Sequence, residues 1–318
     1  MRRQAEFTSR EVKEFVSNVL FDPKVLLSRD PSYPRISVVV PSYDQARFLE
    51  RTILSILNQN YPNTELIVID GGSNDDSVEL IRRYEPYISY WVSEPDEGQS
   101  NAINKGFEKA SGDLIGWQNS DDIYLPGFFN SIAESARAYP KAELLIANVY
   151  LIDEDDLITG GPKFVPFSVN HLIYLNWNLS SQATFVRSQL VRQAGPLRED
   201  IQIGFDWDWF IRIGKLVQYS LLHRGYGGCY RIHQASKLSR YSSELRWPIE
   251  AQLLREHGVK VREDMSYAEQ FRWQARFLRL REIAFQHLLY GQEFRYLRPW
   301  VIRLLDAQRV FCWGYESV

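Results

Sequence analysis

The segment of residues 112–122, GDLIGWQNSDD, carries side chains whose types and spacing could do chemistry. An apolar run there ends in the polar residues Asn119, Ser120, Asp121 and Asp122. The pattern predicts a short buried strand followed by a polar loop. Hard cations such as Mg²⁺ prefer oxygen ligands and usually take one or two carboxylates beside the phosphates of a substrate. The loop could therefore bring a divalent cation and a diphosphate together.

Alternating strand and helix patterns must position this loop. We predict strands at residues 36–40, 66–69, 88–92 and 114–117, with helices around residues 49–57, 78–81 and 99–110. Pro41 is expected to end the first strand. This order indicates an α/β fold with a mainly parallel, Rossmann-like sheet flanked by helices, whose right-handed crossovers put the loops along one carboxyl edge. Ligands of open α/β sheets bind there. Loops 41–45, 70–75, 93–100 and 119–122 should thus line one cleft.

Composition limits the class of protein. A chain of 318 residues with 45% hydrophobic content can bury a full core. The formal charge of −3 gives no basic footprint, so we expect no nucleic-acid partner. Two distant cysteines, Cys229 and Cys312, favour a reducing compartment. No apolar run approaches the roughly 20 residues of a membrane span, and the N-terminus lacks a signal-peptide core, so we expect a cytoplasmic protein.

The turn after the first strand excludes two nucleotide-binding classes. It consists of Pro41, Ser42, Tyr43 and Asp44 and contains no GxGxxG, which a dinucleotide-binding fold would need. The chain also lacks a GxxxxGK[ST] loop, so phosphate binding of the P-loop type has no support. A nucleotide would have to be held in another way.

Three segments together resemble a known family. VVVPSYDQ, ELIVIDGGSNDDS and SEPDEGQSNAINKGFEKASGDLIGWQNSDD are similar, in this order, to the nucleotide-sugar domain of family 2 glycosyltransferases. The resemblance covers residues from about 35 to 239 and implies a GT-A fold and an inverting enzyme. It implies a domain at residues 35–240, an amphipathic helix and linker at residues 1–34, and a C-terminal helical region at residues 241–318.

The resemblance assigns a nucleotide side to the cleft. Pro41, Ser42 and Tyr43 would cradle the nucleobase, and Asp70 would bind a uracil edge or the ribose. The family's DDGS pattern has Gly71 as its second residue here. UDP is the expected nucleotide.

The resemblance also implies a metal site. The family's DxD motif reads Asn119-Ser120-Asp121 in this chain. Asn119 would ligate or face the ribose, Asp121 would bind Mn²⁺ or Mg²⁺, and Asp122 is a supporting candidate. His233, within a segment similar to the family's RxHxxS, would complete the metal site or touch the diphosphate.

Four residues are implied to lie near the diphosphate or the donor sugar. Arg231 and Lys237 flank His233 and could neutralise phosphate oxygens by charge-assisted hydrogen bonds. Asn101 and Lys105 lie on the helix after Gly98, and the alternative for both is a solvated helix surface.

The catalytic base comes from a later segment. SSQATFVRSQLVRQAGPLRED followed by GFDWDWFIRIGK resembles the family's acceptor side, and Asp206 matches the base position. Inversion needs one carboxylate that takes the proton of the attacking acceptor hydroxyl. Asp208 is the alternative base, with the other carboxylate as a helix cap. Trp207 and Trp209 are expected to pack, although either could stack on an acceptor sugar.

The two ends carry helical patterns. Val12, Phe15, Val16, Val19 and Leu20 follow the spacing of an amphipathic helix. Residues 267–309 contain eight arginines and only four acidic residues, with aromatic residues interleaved among them. Basic aromatic helices can lie on anionic membranes, and such peripheral membrane contact would suit a lipid-linked acceptor. The interpretation that we favour is a helical lid or a homodimer interface with the arginines on its solvent side.

Together these features predict a metal-dependent inverting glycosyltransferase that moves a sugar from a UDP-sugar to a saccharide or lipid-linked saccharide in surface-polysaccharide synthesis. The alternative is a catalytically silent sugar-nucleotide-binding or scaffold protein, suggested by Gly71 and Asn119. A sugar-nucleotide pyrophosphorylase would need a Gly-rich basic loop after the first strand, which PSYDQARF is not.

Overall fold

The computed structural model describes residues 7–175, 179–234, 236, 243–262, 264–272, 274, 276, 278 and 280. The strands are β1 (Ile36–Ser42), β2 (Thr64–Asp70), β3 (Tyr90–Ser93), β4 (Leu114–Trp117), β5 (Ile123–Tyr124), β6 (Leu144–Ile152), β7 (Ile158–Gly160), β8 (Thr184–Arg187) and β9 (Ser220–Arg231). The helices are α1 (Ser9–Ser17), α2 (Pro23–Ser28), α3 (Ala46–Leu57), α4 (Ser77–Tyr84), α5 (Gln99–Lys109), α6 (Phe128–Ala138), α7 (Val169–Leu175), α8 (Ser188–Ala194), α9 (Phe205–Leu216), α10 (Ser243–Glu256) and α11 (Tyr267–Gln270). Short 3-10 helices lie at Glu85–Tyr87 and Ser181–Ala183.

One sheet runs through the described part of the chain in the order β3-β2-β1-β4-β8-β6-β9-β5, and β7 pairs with β6. Strands β3, β2, β1 and β4 are parallel, as are β6 and β9, whereas β8 is antiparallel to both β4 and β6. The predicted mainly parallel α/β sheet is confirmed. Its parallel half sends the loops after β1, β2, β3 and β4 to the same edge.

Close packing holds α5 on the sheet. A side chain at Gly106 would place its Cβ 2.2 Å from Val39 Cγ1, so α5 lies directly on β1. The prediction that Pro41 ends the first strand was wrong, because β1 continues to Ser42. Proline removes one hydrogen-bond donor, but the carbonyl of Ser42 still accepts from Gly71 N at 2.8 Å.

The N-terminal helix is shorter than its pattern predicted. Thr8 and Glu11 form a capping box at its start, and Val12, Phe15 and Val16 are buried. The helix ends at Ser17, and Val19 and Leu20 are exposed. The side chain of Asn58 holds the backbone at the end of this helix. Its amide group donates to Phe15 O (2.5 Å) and Asn18 O (2.8 Å), and its carbonyl oxygen accepts from Leu20 N (2.8 Å).

The C-terminal region contributes to the same core. Leu253 and Leu254 of α10 and Phe271 are buried in the main hydrophobic cluster. The arginine-rich stretch lies largely outside the described residues, so the membrane-surface and dimer-interface hypotheses do as well. Among the described helices, none combines the length and the apolar character that a bilayer crossing requires.

Candidate active site

The loop after β4 carries two carboxylates, of which Asp122 is buried and Asp121 is partly exposed. Asp122 is buried and accepts from Arg231 N (2.7 Å), Gln182 Nε2 (2.5 Å) and Asn119 Nδ2 (3.0 Å). Burial and the neighbouring charge of Asp121 raise the pKa of Asp122 well above its usual value. The side chain of Asp121 keeps 21% of its surface exposed. Asp122 therefore fixes the loop, and Asp121 is the carboxylate presented to the cleft.

Asp121 and His233 face each other. Asp121 Oδ2 lies 2.9 Å from His233 Nε2, and the His233 ring centroid lies 5.0 Å from that of Phe48. The described residues form no group of three or more His, Cys, Asp or Glu side chains suited to a metal ion. One carboxylate and one imidazole still fit Mn²⁺ or Mg²⁺, because such ions keep several positions for waters and substrate phosphates.

Arg231 supports the loop of residues 118–122 after β4, which we call the metal-side loop because its Asp121 is the predicted metal ligand. Its guanidinium is buried and donates to Asp121 O (2.6 Å), Asp153 O (2.7 Å) and Asp156 Oδ1 (2.7 Å). Arg51 Nη1 lies 3.2 Å from Asp156 Oδ2, although these two atoms are not aligned for a hydrogen bond. Asp156 is itself buried and has a left-handed φ of +67°. In this conformation Arg231 faces the protein, and its contact with phosphate stays a prediction.

The nucleotide-side residues lie at the ends of β1 and β2. Pro41 and Ser42 are buried, whereas Tyr43 is 57% exposed. Ser42 Oγ is buried without a hydrogen-bond partner. Asp70 is buried, and its carboxylate accepts from Ser73 N (2.9 Å), Ser73 Oγ (2.5 Å) and Ser93 Oγ (2.7 Å). Asp70 thus organises the loop after β2, and its contact with a base or ribose stays a prediction.

Gly71 and Asp96 share one space at this edge. A Cβ at residue 71 would lie 2.8 Å from Asp96 Oδ2. Asp96 Oδ1 also accepts from Gly98 N at 2.8 Å, which holds the loop before α5 in place. A carboxylate is therefore present beside Gly71, but it comes from another loop.

Asp75 joins the starts of two helices. Its carboxylate accepts from Ser77 N at 3.0 Å, at the start of α4, and from Ala46 N at 2.8 Å, at the start of α3. Asp76, the N-cap residue of α4, makes no side-chain cap bond. The loops after β1 and β2 are consequently tied together below the cleft.

The residues expected near the diphosphate contact acidic side chains. Asn101 Nδ2 donates to Glu199 Oε2 (2.9 Å), and Lys105 Nζ donates to Glu94 Oε1 (2.8 Å). Asn119 Oδ1 accepts from Gln99 Nε2 at 2.8 Å. Lys237 lies outside the described residues. The ligand roles of these residues stay predictions.

Asp206 is the exposed acid at the start of α9. Gly204, with a φ of +78°, precedes the helix, and Asp206 lies in its first turn. Trp207 Nε1 donates to Leu172 O (2.8 Å) and Trp209 Nε1 to Gly195 O (2.9 Å). Both indoles are buried, so their expected packing role is confirmed. Asp208 is buried and ion-paired with Arg212, which leaves Asp206 as the accessible carboxylate.

Tyr230 connects the two acidic groups. Its pKa is raised by burial and, in decreasing order, by the negative charges of Asp122, Asp121 and Asp206. Charges act measurably on a phenol only over short distances in salt solution. The loop after β4 and the first turn of α9 therefore both lie within electrostatic range of Tyr230.

The structural roles of two buried residues near this site, Asp156 and Gln118, were not predicted from the sequence. Asp156 stands 75 positions from Arg231, and no local motif links them. Gln118 directly precedes Asn119, yet its side chain is buried and neither amide atom has a hydrogen-bond partner. Gln118 could have been noticed as a polar residue at the end of an apolar strand. Nothing in the sequence indicated that Asp156 would pair with Arg231.

Comparison with known proteins identifies the family of the chain. Residues 37–189 match the family model described as glycosyl transferase family 2. An uncharacterised glycosyltransferase of Mycobacterium tuberculosis is 33% identical over 192 residues, which are 59% of this chain and 71% of the relative. A PGL/p-HBAD biosynthesis glycosyltransferase of Mycobacterium bovis is 25% identical over 183 residues, 56% of this chain and 69% of the relative. The chain belongs to glycosyl transferase family 2 and is a transferase.

Solved structures share the fold. Staphylococcus aureus TarS 1-349 in complex with UDP-GlcNAc has a TM-score of 0.58 and 14% identity, over 82% of this chain and 76% of that one. A Pyrobaculum calidifontis mannosyltransferase in complex with GDP-Man and Mn²⁺ has a TM-score of 0.54 and 15% identity, over 95% of this chain and 86% of that one. At this identity the likeness concerns the fold, which is GT-A.

Proposed function

We propose that the protein transfers a sugar, with inversion, from a UDP-sugar to a saccharide or lipid-linked saccharide. The observation that carries this proposal is that Asp121 and Asp206 keep exposed surface, whereas Asp122 and Asp208 near them in sequence are buried. A donor diphosphate held at the metal-side loop would put its sugar between these groups. The TarS complexes with UDP and UDP-GlcNAc support a uridine nucleotide. A role in surface-polysaccharide synthesis is part of the same proposal.

The reaction is a single displacement in this proposal. The acceptor oxygen attacks the anomeric carbon as the bond from that carbon to the diphosphate breaks. Asp206 takes the proton of the acceptor hydroxyl, and general-base catalysis of this kind contributes about 10²–10⁴ in rate.

A divalent cation fits the metal-side pair. Asp121 and His233 would hold it, with the amide of Asn119 beside them, and the bound ion would supply stabilisation of the negative charge that gathers on the leaving diphosphate. Arg231 orients Asp121 through its bond to the carbonyl of that residue. Asp122 stays on the protein side of the loop, where Gln182 and the Arg231 amide hold it.

The test pairs binding with turnover. Calorimetric titration of UDP, with GDP and ADP as controls, is expected to show UDP preference that depends on Mn²⁺ or Mg²⁺. Asp206→Asn should keep this binding and lose transfer by about 10²-fold or more. Asp200→Asn is the matched control, since Asp200 is an exposed acid on the approach to α9 that bonds Arg198.

Three results would contradict the proposal. Full transfer by Asp206→Asn would move the base elsewhere. Equal binding of UDP, GDP and ADP would remove the donor assignment. Nucleotide binding by the wild-type protein without turnover of any UDP-sugar would favour the silent sugar-nucleotide-binding alternative that Gly71 and Asn119 suggest.

A further inference from the structure

Helix α10 packs against the end of α9 that carries Asp206. A Cβ at Gly204, the residue before α9, would lie 3.2 Å from Leu253 Cδ1. Arg198, on the approach to α9, pairs with Glu256 in the last turn of α10. The C-terminal region is therefore in direct contact with the segment that positions the exposed carboxylate.

His257, directly after α10, bridges to α9. His257 Nδ1 lies 3.0 Å from Lys215 Nζ, and His257 Nε2 lies 2.9 Å from Asp208 Oδ1. An ammonium group has three hydrogens and no lone pair, so it can only donate. Nδ1 must then accept from Lys215, which leaves the ring proton on Nε2 for Asp208. On this assignment His257 accepts from Lys215 through Nδ1 and donates to Asp208 through Nε2.

Asp208 transmits this bridge to the first turn of α9. Its Oδ1 receives the His257 bond, and its Oδ2 receives Arg212 Nε at 3.0 Å. The Asp208 amide donates to Gly204 O at 2.9 Å, at the start of the helix. Successive helical residues turn by about 100°, so residues 206 and 208 point to different sides. The inward Asp208 is anchored while Asp206 faces the cleft.

We propose that His257 is a positioning residue that fixes Asp206 through Asp208 and thereby makes α10 part of the catalytic machinery. This inference rests on the proposed role of Asp206 as the base. Misplacement of a reacting group by about 1 Å can cost around 10²-fold in rate. Loss of the bridge should therefore reduce turnover far more than donor binding.

Two substitutions at the same position test the bridge. His257→Leu removes both bonds, and we expect kcat to fall roughly 10–100-fold while KM for the UDP-sugar changes by less than about threefold. His257→Gln can accept from Lys215 with its carbonyl and donate to Asp208 with its amide, so it should stay within about threefold of wild type. Arg262→Ala, which removes an exposed pair with Asp264 in the same region, is the control.

A spectroscopic readout keeps the test independent of the base assignment. In ¹⁵N-histidine-labelled full-length protein, the signals lost in His257→Leu should be those of a neutral Nε2–H imidazole and should shift in Asp208→Asn. An Nδ1–H His257, whose Nε2 could not donate to Asp208, would overturn the inference. So would a folded His257→Leu with wild-type kcat when Asp206→Asn is inactive. If Asp206→Asn is instead active, the proposed function fails, while the tautomer result still reports on the bridge itself.

Discussion

The buried ion pairs of Asp156 predict a large and specific loss of stability. Asp156 faces Arg231 at 2.7 Å and Arg51 at 3.2 Å, and the side chains of Asp156 and Arg231 are fully buried. Asp156→Asn keeps the shape of the residue and removes its charge. Breaking a buried pair by removing one partner costs about 3–5 kcal/mol, because the other charge stays buried without compensation.

The chain length converts this cost into a melting temperature. Unfolding entropy is about 2.1 cal/mol/K per residue, so the entropy for 318 residues is about 0.7 kcal/mol/K. The Asp156→Asn protein should therefore melt roughly 5–7 °C below wild type in calorimetry. Because Arg231 also bonds the carbonyl of Asp121, the proposed Mn²⁺-dependent UDP binding should weaken as well.

The neighbouring Glu154 supplies a matched control. Glu154 pairs with Arg47 on the same helix that carries Arg51, but the Arg47 side chain is 63% exposed. Exposed pairs contribute about 0–1 kcal/mol, so Glu154→Gln should barely change the melting temperature. Equal shifts in the two variants, or a loss below about 1 kcal/mol in Asp156→Asn, would refute the reasoning from burial.

Three further predictions concern the core, the cleft and pH. Gln118→Leu should raise stability by about 1–3 kcal/mol, because both buried amide atoms lack partners; an unchanged or lower melting temperature would mean that buried waters bond the amide. Gly106→Ala should lower stability by about 1–3 kcal/mol, since its Cβ would meet Val39; denaturant titration giving no loss would mean that α5 can move away. Although burial favours the protonated acid, the His257 hydrogen bond and the Arg212 charge keep the pKa of Asp208 below its usual value. Its contribution to stability should therefore be complete above about pH 4 and be lost as pH falls through the folded-state pKa; Asp208→Asn should flatten that part of a melting profile, and an unchanged profile would contradict this.

The parallel half of the sheet was predictable because its strands are covered on both faces. Residues of β1, β2 and β4 form continuous apolar runs, and helices with their own periodicity separate them. The other half carries weaker signals. Strand β9 has the sequence SLLHRGYGGCYR, in which glycines interrupt any alternation, and it pairs with β6 across a long stretch of chain.

Candidate site residues were predictable where a strand end fixed them. Asp70 is the last residue of β2, and Asp121 lies in the loop after β4, so the topology brings both to one edge of the sheet. The contacts that decide what each side chain does are remote in sequence: His233 is 112 positions from Asp121, and Asp208 is 49 from His257. No local pattern encodes such pairings, which arise from the folding of separate segments onto each other.

The shared space between Gly71 and Asp96 constrains how this cleft can change over evolutionary time. A side chain can enter that space from the loop after β2 or from the loop before α5, and at a 2.8 Å approach the Asp96 carboxylate must shift before a second side chain can enter. Acidic replacements at residue 71 should therefore be tolerated only together with a smaller residue at 96, and the two substitutions should be strongly non-additive. In related sequences we expect an acidic residue either at position 71 or at position 96, with the two positions changing together.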